Sequence, residues 1–121
     1  IMKFKIVILL FTVTTILSGC LEKPLIFVGE SDNWKVHYEI AQVKKPDGAC
    51  NRTSGNIIYT GNDSTPERIE FSIDQAEGNV PLEENGMFSL LNGCSNLVEG
   101  SEVEAIIKWN DQTDVIPLVV Q

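Results

Sequence analysis

Positive charge is scarce in this sequence. Nine Lys and Arg stand against seventeen Asp and Glu, a formal net charge of −8 over 121 residues. Nucleic-acid binding needs clustered cations to replace phosphate counterions, and the longest basic run here is the pair Lys44-Lys45. No nucleic-acid partner is expected. Histidine occurs once, at His37, and cysteine three times, in no zinc-ligand spacing. There is no Gly-x-Ser-x-Gly elbow, His-Glu-x-x-His helix, phosphate loop or catalytic-cysteine context. The neighbours Glu83-Glu84 point apart on an extended chain and make no acid–base pair. Catalytic activity is therefore not expected. Long apolar runs are missing too, because Ile6 to Leu17 falls short of the ~20 residues that span a bilayer. No stretch carries an amphipathic helical period of useful length.

What is present begins at that apolar run. Lys3 and Lys5 precede it, and it ends in Ile16-Leu17-Ser18-Gly19-Cys20. A charged start, a short apolar middle and small residues before a cleavage point are the three parts of a secretory signal. An aliphatic residue, two small residues and then a cysteine form a lipobox. This pattern is similar to that of bacterial lipoproteins. It implies a signal helix over residues 1–19, cleavage between Gly19 and Cys20, and a diacylglycerol and acyl lipid on Cys20. The expected address is the extracytoplasmic face of the cell membrane, with no other cofactor.

The mature chain then runs from Cys20 to Gln121, about 100 residues and one small domain. Losing Lys3 and Lys5 leaves seven basic against seventeen acidic side chains, a balance of −10. Such a surface favours solubility, cations and basic partners. With Cys20 lipidated, Cys50 and Cys94 remain as a pair. Outside the membrane a disulfide between them is permitted, and two free thiols in a well-packed domain are the alternative.

Residues 20–33 read as a lipidated tether and lead-in, with Leu25-Ile26-Phe27-Val28 apolar enough to dock. The domain proper is expected over 34–121. Trp34, Val36, Tyr38 and Ile40 alternate with Lys35, His37 and Glu39, which predicts a half-buried strand with His37 on its polar face. Further strands are expected at Asn56–Thr60 and Glu67–Ile73, with Ile69, Phe71 and Ile73 inward. Val80-Pro81-Leu82 reads as an edge strand, and Asn85-Gly86 as a hairpin turn leading to Met87–Leu91. Residues 49–55, 74–79 and 92–96 read as loops. A closing hairpin of Val103–Trp109 and Asp114–Val120 is expected, with Pro117 placing the last strand at an edge. Six or seven short antiparallel strands between turn signals predict an all-β sandwich of two sheets. Trp34 precedes both cysteines, so their disulfide is not the usual inter-sheet pin of antibody-type domains.

Glu30-Ser31-Asp32-Asn33-Trp34-Lys35-Val36, Glu84-Asn85-Gly86, Ile107-Lys108-Trp109-Asn110 and Ile116-Pro117-Leu118 carry a resemblance. With the lipobox, they make the chain similar to small lipoproteins of Bacillus-like Gram-positive bacteria. That resemblance implies an immunoglobulin-like β-sandwich on the outer face of the cytoplasmic membrane, and no transferable catalytic motif. The expected function is a membrane-anchored binding or accessory module whose partner is an unidentified envelope protein. Two alternatives go with it. One is a calcium-binding domain using Glu30, Asp32, Asp111 and Asp114, since Ca²⁺ takes oxygen ligands. The other is an inhibitor of a basic envelope enzyme or toxin.

Overall fold

Alternation of buried and exposed side chains organises the structure, a computed structural model that describes residues 23–42 and 50–121. The signal, the lipobox and Cys20 lie outside the described residues. Among the described residues there are eight strands and no helix. They are β1 (Leu25–Glu30), β2 (Trp34–Ile40), β3 (Asn51–Tyr59), β4 (Arg68–Ile73), β5 (Ala76–Pro81), β6 (Met87–Ser95), β7 (Val103–Trp109) and β8 (Gln112–Val120). The all-β antiparallel class is as the sequence predicts. The count is eight where the sequence predicts six or seven, because the lead-in is also a strand; two polar stretches, 51–55 and 92–95, lengthen β3 and β6.

The strands form one sheet in the order β5-β4-β7-β8-β1-β2-β3-β6. Its two halves meet where β8, having paired with β7 through Leu118, passes to β1 at Val119 and Val120. The sheet curls until its outermost strands, β5 and β6, touch, so it is nearly a barrel. Both halves face one core. β1, β2 and β3 contribute Phe27, Trp34, Val36, Tyr38, Ile40 and Ile57, and β4, β7 and β8 contribute Ile69, Ile73, Ala105, Ile107 and Ile116, all almost fully buried. Each large apolar side chain removed from water contributes about 1.5–3 kcal/mol. Aromatic contacts stitch the halves together: Trp34 meets Trp109 edge-on with ring centres 5.3 Å apart, and Phe71 meets Phe88 at 5.4 Å.

Four expectations from sequence change here. The lead-in is a strand, so the domain starts at Leu25 and not at Trp34; Leu25 and Phe27 are core residues. Asn85-Gly86 does not join a hairpin, because β5 pairs with β4 and β6 with β3. Instead Gly86, at φ +78°, closes a turn by donating to Glu83 and accepting from the Tyr59 amide. The hairpin of this region is β4–β5, turning on Asp74-Gln75, where Asp74 takes φ +53° without any glycine to announce it. Finally, β8 is an interior strand despite Pro117. In the β7–β8 hairpin, Asn110 and Asp111 take positive φ and Trp109 faces Gln112. Counting from that turn, Pro117 directs its nitrogen away from β7 and toward β1. There β1 pairs only beyond it, at Val119 and Val120, so no ladder bond is lost.

Two glycines make the curl possible. A Cβ at Gly29 would meet the Pro117 carbonyl and the Leu118 and Ile116 side chains, at the point where β8 crosses onto β1. Gly55, in the middle of β3 at φ +154°, would drive a Cβ into the His37 carbonyl of β2. Beside it the β3–β6 register shifts: Leu91 and Asn92 bulge opposite Ser54, with Asn92 at φ +60°. A bulge of this kind bends and twists a terminal strand, here bringing β6 round toward β5.

Candidate functional site

The expected carboxylate set gathers at one end of the sheet but does not converge. Ser31, in the turn between β1 and β2, accepts from the backbone amides of Asn33 and Trp34 and donates to Asp114 Oδ2 at 2.7 Å. A serine with short-range amides is a turn-former by its own chemistry, and here it also ties that turn to β8. Asp114 is thus brought to the Glu30–Asp32 turn, a proximity the sequence could not fix. Its bonded oxygen serves a hydroxyl, while Glu30, Asp32 and Asp111 face solvent. Among the described residues no three His, Cys, Asp or Glu side chains stand close enough to hold a metal ion. His37 lies half-buried on the outer side of β2, as the alternation predicts.

The other end holds the cysteines. Cys50 and Cys94 form a disulfide, with Cα atoms 5.4 Å apart. Cys50 stands just before β3, and Cys94 faces Arg52 across the β3–β6 pair, beyond the bulge. The bridge holds the terminal strand where its ladder has just been interrupted.

Next to it is a partly buried polar group of side chains that carries no sequence motif. Ser95, fully buried, donates to Asp74 Oδ2 at 2.7 Å and accepts from the Leu97 amide. This bond fastens the β4–β5 turn to the end of β6, so it closes one end of the seam between β5 and β6. The chain segment 82–86 closes the other. Thr53 and Tyr38 face the same group. The Tyr38 hydroxyl is buried near them yet makes no hydrogen bond of acceptable geometry, and Trp34 Nε1 is likewise unpartnered. Burial first, then the negative charge of Asp74, push the Tyr38 hydroxyl above its ordinary value of 10.0, against the lowering pull of Thr53 and Ser95.

The sign of the consequence is definite. An acid whose pKa rises on folding keeps more protons in the folded state, so stability is full below about pH 10 and is lost as pH climbs through the folded value. Tyr38→Phe is expected to leave stability near pH 7 within about 1 kcal/mol, because the lost hydroxyl had no partner. Urea midpoints of both proteins, compared near pH 8 and near pH 11, check this. The wild type should lose more than the variant at the higher pH; parallel losses would contradict it.

Among the described residues no helix is long and apolar enough to cross a membrane. The chain matches no family model, no curated protein and no solved structure. Its function is therefore argued from its own residues.

Proposed function

We propose that this protein is a membrane-anchored extracytoplasmic lipoprotein whose β-domain acts by recognition and not by catalysis. One observation carries the reading: Ile16-Leu17-Ser18-Gly19-Cys20 follows a charged and then apolar leader and ends only five residues before β1. The disulfide supports it, since such bonds persist in oxidising compartments. Anchoring confines the domain to a thin layer, which raises its effective concentration near other envelope components. An acidic surface in that layer favours a basic protein partner, such as an envelope enzyme or toxin that the domain restrains. The two four-stranded halves, facing across one core, are what we would relate to the immunoglobulin-like sandwich of small Gram-positive lipoproteins.

Crosslinked affinity capture of the lipidated protein from its own membranes tests the recognition role. The reference is an unrelated β-domain anchored in the same way. One protein recovered in near-stoichiometric yield is the expected outcome. Identical recoveries from both baits would contradict a specific partner.

A further inference from the structure

We propose that the end of the domain carrying Val98, Val119 and Val120 rests on the glycerophospholipid bilayer that holds the anchor. This deepens the lipoprotein reading and rests on it. Val98 is 65 % exposed, Val119 62 % and Val120 37 %. Single exposed valines are ordinary, but Val98 and Val120 line one groove, and Val119 follows on the other face of β8 at the same end. Two open grooves, of about 690 and 810 Å³, share Val120 and Glu99; one is lined by Val119, the other by Val98 and Ile26. Val119 also lies opposite Val28 of β1, which is half-buried.

The patch is held in place. Val98 donates its amide to Ser101 Oγ at 2.9 Å, and its carbonyl accepts from the Ser101 amide at 2.9 Å. A closed turn thereby presents an aliphatic side chain to solvent, where turn chemistry alone asks only for small polar residues.

What covers the patch follows from where the described chain begins. Lys23, Pro24 and Leu25 line the same groove as Val98 and Val120. Cys20 precedes Lys23 by three residues, so its Cα lies within about 11 Å of Lys23 even in a fully extended chain. A diacylglycerol on Cys20 brings this end of the domain to the headgroup region. The opposite end, with loop 60–67 and the Asn110-Asp111 turn, is the length of β8 away, about 26 Å at a strand's rise per residue. Membrane-proximal valines are buried by the contact, while Glu99 and Glu102 beside them are repelled by anionic headgroups. The contact therefore weakens as the anionic fraction rises.

The test uses the chain from Cys20 onward, with a maleimide phospholipid coupled to Cys20, the one thiol left when Cys50 and Cys94 are paired. Coupling by chemistry keeps the result independent of whether cells acylate Cys20. Val98→Trp and, as control, Ser64→Trp at the far end are placed on phosphatidylcholine vesicles containing brominated lipid; the native Trp34 and Trp109 are buried and give a constant background. Quenching should be several-fold greater for the indole at position 98 than at 64, and should fall when phosphatidylglycerol is added. Val119→Trp replaces Val98→Trp if the latter fails to fold. Equal quenching at both positions, or none at either while the protein still floats with the vesicles, would overturn the proposal and leave the anchor intact. A dimer of the unlipidated chain that Val98→Asp abolishes would overturn it in favour of a second copy.

Discussion

Removing the disulfide should cost this domain most of its stability. The Cys50→Ala/Cys94→Ala double variant, or the reduced wild type, is expected to lose about 4 kcal/mol, the chain entropy released by a loop of this length. The sequence separation of 44 sets that figure. Position adds to it. β6 is the terminal strand, its ladder to β3 is interrupted at Leu91-Asn92, and the bridge stands just past the interruption. Without it, the end of β6 carrying Ser95 is free to leave, and with it the Ser95–Asp74 bond that closes the seam. For a domain of about 100 residues this corresponds to a fall in Tm of about 20 °C. Calorimetry with and without reductant reads it; coincident transitions would show that the bridge does not constrain the unfolded chain.

Trp34→Ala should be comparably damaging, at about 4 kcal/mol. Trp34 is completely buried and packs edge-on against Trp109, and also against Tyr59 with ring centres 5.0 Å apart. It therefore joins β2 and β3 to β7 across the core. Truncation leaves a cavity between the two halves of the sheet and forfeits both ring contacts, each about 0.5–1.5 kcal/mol. One term opposes this: Nε1 is buried without a partner, and its removal relieves a desolvation cost. Trp34→Phe isolates that term, because it keeps an aromatic ring and deletes the nitrogen. Chemical denaturation should rank wild type and Trp34→Phe close together and Trp34→Ala far below. A Trp34→Ala midpoint within error of wild type would mean that the halves do not share this core.

The strands with strict alternation were legible. Trp34–Ile40 and the inward set Ile69, Phe71 and Ile73 bury the face the sequence predicts, and the Val103–Trp109 strand forms with the predicted bounds. What escaped did so for physical reasons. Asn51–Gly55 and Asn92–Ser95 are polar stretches beside a bulge and a disulfide; they bury Thr53 and Ser95 and no apolar side chain, so backbone pairing makes them strands without an apolar alternation to announce them. Asp74-Gln75 forms a tight turn using an aspartate in the left-handed region, whereas Asn85-Gly86, the better hairpin signal, is spent on a corner between non-partners. Pro117 signals an edge, but an interior strand accepts it where its second neighbour has not yet begun to pair. Leu25–Val28 reads as a docking tether in sequence because nothing local shows that β2 and β8 pair with it.

The candidate site was less legible than the fold. Ser31 with Asp114 is a contact across most of the chain, and Ser95 with Asp74 joins two turns. Neither has a local motif. The exposed valines are ordinary one at a time, and only the fold brings Val98 into the groove of Val120, with Val119 in the adjoining one.

The most direct test of the account is the intact mass of the N-terminal peptide released from the membrane-extracted protein. The account predicts a peptide that begins at Cys20 and carries the mass of a thioether-linked diacylglycerol, with no such species from a Cys20→Ala variant. A membrane-bound protein whose peptide still carries residues 1–19, or begins at Cys20 without lipid, would contradict it.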